Sequence, residues 1–156
     1  MWAVGGLVRS VAMHWDGTAW SRYPTPYPGE ESHLYDVVAI APDDIWGVGI
    51  TISQQGDVQG LSMHWDGASW SVVPIEHVPG GEVFYSVAAA SANDVWAVGY
   101  QSDPGPGLFQ PLVERWDGTS WTVTPVPWPS PPSTINILYG VAAVSADDAW
   151  AVGSYS

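Results

Sequence analysis

Apolar and polar positions alternate along this chain in short runs, and no run keeps a helical period. In Leu61-Ser62-Met63-His64-Trp65 every second residue is large and apolar. Such runs are β-branched or aromatic and end at Gly, Pro, Asn, Asp or Ser, which is the strand signature. The pattern predicts four kinds of strand. The first spans Leu34 to Ile40, Phe84 to Ala90 and Leu138 to Val144. The second spans Ile45 to Ile50, Val95 to Tyr100 and Ala149 to Ser154, with an early copy at Trp2 to Leu7. The third spans Leu61 to Trp65, Val11 to Trp15 and Leu112 to Trp116. The fourth spans Ser69 to Val73, Ala19 to Tyr23 and Ser120 to Thr124.

These strands recur as one unit. His14-Trp15-Asp16-Gly17 with Trp20 returns as His64-Trp65-Asp66-Gly67 with Trp70, and as Arg115-Trp116-Asp117-Gly118 with Trp121. Each copy is followed, after a variable Pro-rich stretch, by Val-x-Ala and then Asp-x-Trp-x-Val-Gly at Asp44, Asp94 and Asp148. A period of roughly 20–50 residues marks a repeat architecture. Two connections hardly vary between copies. Asp-Gly between alternating strands predicts a tight hairpin, because Gly supplies positive φ. The acidic residues of the other connection, Asp43-Asp44 and its equivalents, are expected to cap their own backbone N–H groups.

Side-chain parity predicts stacked sheets. Trp46 and Val48 share one face of the second strand, and Gly47 and Gly49 the other. A large residue backed by bare backbone lets neighbouring sheets interdigitate. The first strand is small and apolar (Val87, Ala88, Ala89, Ala90), as befits sheets crowding towards an axis. The expected fold is all-β: β-propeller blades, four-stranded antiparallel sheets repeated radially, about three per chain. The alternative is a parallel β-solenoid, whose coils are usually much shorter than this unit.

The paired motifs His-Trp-Asp-Gly-Thr-x-Trp and Leu-Tyr-x-Val-Ala-Ala-x-Ser-x-x-Asp-x-Trp-Ala-Val-Gly resemble the repeat of large bacterial exported propeller proteins, related in architecture to kelch and WD-repeat propellers. The resemblance covers essentially the whole chain. It implies a propeller and an extracellular or cell-surface setting, and it implies no particular activity.

Residues 1–156 read as a single repeat domain. A partial blade of strands two to four covers 1–24, full blades cover 34–74 and 84–125, and a partial blade covers 138–156. Propellers typically have 4–8 blades, so the ring is expected to be completed by another chain or by more of a longer one. Two chains would make a six-bladed ring, and a contact that fails to close would grow head to tail. Joining the two partial blades leaves one second strand too many. One Trp-Ala-Val-Gly strand is therefore expected to be displaced or unusually paired in the assembly.

Composition narrows the function classes. Ten of the 11 Trp lie in the repeat motif and read as packing residues. Sixteen acidic residues against three Arg give a net charge of -13. Nucleic-acid binding needs cations to displace counterions, so it is excluded, and an anionic membrane surface would repel the chain. There is no Cys and no apolar run of 18 residues, so neither thiolate chemistry nor a transmembrane helix is expected. No signal segment is present in this sequence.

Apparent chemistry mostly dissolves into the repeat. A His-x-Asp pair could serve acid–base work or metal binding, but Arg115 occupies the third copy of the His14 and His64 position, so these are read as structural. The Asp-Gly-x-x-Trp turn is similar to the Asp-box of sialidases, itself a structural turn, and departs from it by the Gly directly after Asp. Asp43-Asp44 and Asp147-Asp148 are turn residues, and Glu30-Glu31 lies in a Pro/Gly loop. No catalytic residue, metal site or cofactor is assigned. In an up-and-down sheet the variable connections share one end of the blades, and recognition concentrates on such loops. They carry the candidate ligand-binding residues Tyr27, His33, Gln55, His77, Phe109 and Trp128. Aromatics beside amides and carboxylates suit a partner protein or a sugar. The expected function is a non-enzymatic scaffold for protein interaction or self-assembly through the variable-loop face, with a lectin-like carbohydrate-binding propeller as the alternative and a hydrolase a lesser one.

Overall fold

The computed structural model describes residues 1–6, 8–102, 107–127 and 135–156. The described residues form strands, turns and loops, without a helix. β1 (Trp2–Gly6), β2 (Ser10–Trp15) and β3 (Trp20–Tyr23) make a three-stranded sheet. β4 (Glu31–Ala41), β5 (Asp44–Ile52), β6 (Val58–Trp65) and β7 (Trp70–Val72) make a four-stranded one. The next four-stranded sheet holds β8 (Glu82–Ser91), β9 (Asp94–Ser102), β10 (Phe109–Trp116) and β11 (Trp121–Val123). A last hairpin pairs β12 (Asn136–Ser145) with β13 (Asp148–Tyr155). Every pairing within these sheets is antiparallel, in the up-and-down order of propeller blades.

All expected strands are present, with different ends. The first and third strands begin up to three residues early, because ladder pairing continues through polar residues that carry no apolar alternation. Glu31 pairs with Ile52, and Gln110 with Gln101. The fourth strands are shorter than expected, three residues in β7 and β11.

The Asp-Gly turns behave as their chemistry requires. Gly17, Gly67 and Gly118 take φ of 108°, 92° and 98°. In each turn the Asp carboxylate accepts the N–H groups two and three residues on, as Asp16 does from Thr18 at 2.7 Å and Ala19 at 2.9 Å. The other connection departs from the expected backbone capping. Asp44, Asp94 and Asp148 turn to side chains instead: Asp44 Oδ1 meets the Trp46 indole N–H and His64 Nε2, Asp94 meets Arg115, and Asp148 meets the Trp150 indole N–H. Asp44 and Asp94 face a His or Arg on the third strand of their own sheet, and Asp44 and Asp148 accept the indole N–H two residues on, so side-chain partners take the place of the turn.

Blades stack through two apolar layers. One holds Ala12, Leu34, Ile45, Leu61, Met63, Trp65 and Trp70, with Trp2 and Val4 against it. The other holds Trp46, Val48, Phe84, Val87, Val95, Ala97, Leu112 and Trp121. Leu61, Met63 and Trp65 thus face one way and Trp46 and Val48 the other, as the parity predicts. The two layers are copies in detail. Trp2 lies 5.3 Å from Trp65 and 5.5 Å from Trp70, and Trp46 lies 4.9 Å from Trp116 and 5.4 Å from Trp121. Trp2 and Trp46 each seat in this way on the third- and fourth-strand Trp pair of the following blade.

The first strands bulge twice, once at Tyr35, Tyr85 and Tyr139. The bulge presses first-strand backbone onto the second strand, so that a Cβ at Gly49, Gly99 or Gly153 would run into the carbonyl of His33, Val83 or Ile137. The last Gly of the repeat motif is there for that close approach. Gly5, at the same place in β1, has open space around it, since no first strand pairs with β1 in its sheet.

Candidate functional site

The bulges decide where the aromatic side chains of the first strands go. An extra residue in one strand re-aims its side chain and is common near functional sites. Here one tyrosine per blade is turned out at that point. Tyr35 and Tyr85 have centroids 5.8 Å apart, and Tyr85 and Tyr139 are 5.5 Å apart. Tyr35 and Tyr139 are about half exposed, at 45% and 52%. The row branches: Tyr85 also meets Tyr100 of β9 at 6.0 Å, and Tyr100 meets Phe109 of β10 edge-on at 4.8 Å. At its other end His33 stacks beside Tyr35 at 6.3 Å.

Burial, reinforced by neighbouring phenols, raises the pKa values of Tyr35, Tyr85 and Tyr100. The phenols therefore stay protonated at neutral pH and can donate hydrogen bonds. Polar groups border the row. His33 lies 3.4 Å from Glu31 and 3.1 Å from the Gly6 carbonyl, and the Gln101 amide donates to Gln110 at 2.8 Å. Tyr100 also lines an open polar cavity of about 500 Å³ with Asp57, Gln59, Glu82 and Ser102.

Of the expected site residues, His33 and Phe109 belong to this row. The other described ones do not. Tyr27 sits under the Arg9 guanidinium at 4.7 Å, and Gln55 is exposed in the turn between β5 and β6. His77 Nδ1 lies 2.6 Å from Glu82 Oε1. Glu82, almost wholly buried, also accepts the Gly60 and Val78 N–H groups, so it pins the loop before β8. Trp128 lies outside the described residues. The sequence reading missed Tyr35, Tyr85 and Tyr139 because it took the first strand as small apolar residues crowding towards an axis. The available signal was a Tyr as the second residue of each expected first strand, always two before the Val of Val-x-Ala.

Several of the remaining charged groups hold structure. Hydrogen bonds from their own turns hold the carboxyls of Asp16 and Asp117 down to about 2 and lower that of Asp66. His64 Nε2 lies 2.8 Å from Asp44, and Arg115 pairs with Asp94 at 2.6 Å while covering the Trp96 ring. Among the described residues no group of three or more His, Asp or Glu is placed to hold a metal ion. No family model and no curated protein matches this chain.

Proposed function

We propose that this chain is a non-enzymatic recognition scaffold, with Tyr35, Tyr85 and Tyr139 as its platform, and that it binds an extended, proline-rich and basic polypeptide. The row of outward phenols through three successive blades carries this reading. Aromatic-lined surfaces suit polyproline II segments, which pay little ordering entropy. Such a helix rises about 3.1 Å per residue with three residues per turn, so one turn of about 9 Å lies across neighbouring rings 5.8 and 5.5 Å apart. A net charge of -13, with Glu31 beside His33 at the end of the row, favours basic residues in the ligand. The non-enzymatic part rests on how the carboxylates are employed: Asp36, Asp44, Asp94 and Glu82 are all engaged in holding strands and loops together. An extracellular or cell-surface setting rests on the repeat resemblance alone.

The test is calorimetric titration with Pro/Arg-rich peptides against the wild type and the exposed-ring variants Tyr35→Ser and Tyr139→Ser. Micromolar binding that weakens at least tenfold in either variant is expected. Absence of peptide binding, together with a specific hit on a glycan panel, would replace this reading with the carbohydrate one.

A further inference from the structure

The blade-to-blade contact is made twice inside the chain, and one half of it stands open at each side. Trp96 of β9 occupies the position of Trp2 and Trp46, yet it faces a cleft of about 300 Å³ where the following blade should place a Trp pair. Val98, Val113, Val126, Val141 and Trp150 line that cleft with it. The hairpin β12–β13 beside it supplies only the first two strands of a blade, and β13 is exposed along its whole length, with Trp150 at 68%.

The missing half exists elsewhere in the chain. Trp15 and Trp20 are a third- and fourth-strand pair on which no described second-strand Trp is seated, and Trp20 is 43% exposed. Their rings are 5.8 Å apart at 49°, against 6.1 Å and 47° for Trp65–Trp70 and 6.0 Å and 51° for Trp116–Trp121. The pair is thus already in the shape that receives a Trp in both internal contacts.

We infer that the cleft at Trp96 is filled by β2 and β3 of a second copy of this chain, which complete the blade begun by β12 and β13. The inference is independent of the peptide-binding reading. Trp96 then seats on Trp15 and Trp20 of the second copy as Trp46 seats on Trp116 and Trp121. The arrangement is reciprocal, so two copies close a ring of four complete blades and two composite ones.

The composite blade has one second strand to spare, and pairing decides which stays. β13 is paired with β12 on one edge and has its other edge to offer β2, whereas β1 pairs with β2 alone. β13 therefore keeps its place and takes over the edge of β2 that β1 occupies in the single chain. The exchange is chemically neutral: Trp2-Ala3-Val4-Gly5 and Trp150-Ala151-Val152-Gly153 are the same sequence. In the register of β1 on β2, where Ala3 faces Met13, Ala151 of one copy faces Met13 of the other. Trp150 then occupies the seat of Trp2 on Trp65 and Trp70 of the second copy. The ring also gains a function-bearing residue, because Tyr139 supplies the blade of β2 and β3 with the first-strand tyrosine it lacks.

The experiment is size exclusion with light scattering on the whole chain, together with one engineered crosslink. The expected mass is twice 16.7 kDa. The chain has no cysteine, so the double variant Met13→Cys/Ala151→Cys should form a covalent dimer on mild oxidation. Trp20→Ser and Trp150→Ser alter exposed side chains and should keep the strand circular-dichroism spectrum. Each should raise the dimer dissociation constant roughly 30-fold or more, as loss of a central aromatic anchor does. A monomer mass at tens of micromolar, masses that climb stepwise with concentration, or a double variant that stays uncrosslinked would each overturn the inference.

Discussion

Asp36 on β4 reaches across to Ser86 on β8, and one carboxylate thereby holds the first strand of the next blade. Its Oδ2 accepts from Ser86 Oγ at 2.8 Å and from the Val87 N–H at 2.9 Å. Ser86 Oγ in turn accepts the Val141 N–H of β12 at 3.4 Å. The relay runs Val141 to Ser86 to Asp36 through three blades, beside the tyrosine row. Asp36→Ala removes the acceptor and strands the Val87 N–H, at a cost of roughly 2 kcal/mol. Urea unfolding should show a lower midpoint, and an unchanged midpoint would mean that water replaces the carboxylate.

The repeat predicts a stabilising substitution at Glu114. This residue stands where Met13 and Met63 stand in the other third strands. It is wholly buried, and neither carboxyl oxygen has a well-formed hydrogen bond. Burial first, then the Glu82 carboxylate and that of Glu76, push its carboxyl up to about 8, opposed only by the Glu76 backbone N–H. The folded state therefore keeps a proton that the unfolded chain releases near 4.5. The sign follows: stability from this group is complete below about pH 4.5 and is lost as pH rises towards 8. Glu114→Met should raise stability at pH 8 by several kcal/mol, on the order of 3–5 from the shift, and flatten that part of the pH profile. Denaturant melts at pH 5 and pH 8 measure both effects.

Arg115 and His64 hold the same place in successive blades, each against the Asp that opens the second strand. Arg115→Ala leaves Asp94 buried and unpaired, with a loss of about 3 kcal/mol. Arg115→His restores the pairing used in the preceding blade and should recover more than half of that loss. Thermal melts of the three proteins decide this.

Glycines at one repeat position should respond in opposite ways. Gly99→Ala drives a methyl group into the Val83 carbonyl and should cost more than about 3 kcal/mol or prevent folding. Gly5→Ala meets open space and should stay within about 0.5 kcal/mol of wild type. Equal effects at the two sites would mean that a first strand also pairs with β1.

The strands and their order could be read from sequence because alternation and Asp-Gly turns are local features repeated three times. The ends of β4, β6 and β10 could not, since the polar residues there join the ladder through backbone atoms alone. For the candidate site, His33 and Phe109 stood out as aromatic groups on variable loops, and they do flank the row. Tyr35, Tyr85 and Tyr139 did not stand out, because a repeated residue reads as packing until a bulge shows it turned outward.

The repeat pattern by itself determined an all-β chain of up-and-down blades, with Trp as the packing residue and glycines at the turns. Those features depend on side-chain parity and backbone φ, which act over a few residues. Only the tertiary structure decided which tryptophan seats on which pair, that Asp44 and Asp94 serve side chains rather than their turns, and that Glu114 is stranded between blades. It also left Trp96 facing an open cleft while Trp15 and Trp20 wait unfilled. Such matters depend on what lies on the third strand of the same blade, 20 or 21 residues away, or across a blade interface, farther still along the chain, and a local pattern carries no record of such distances.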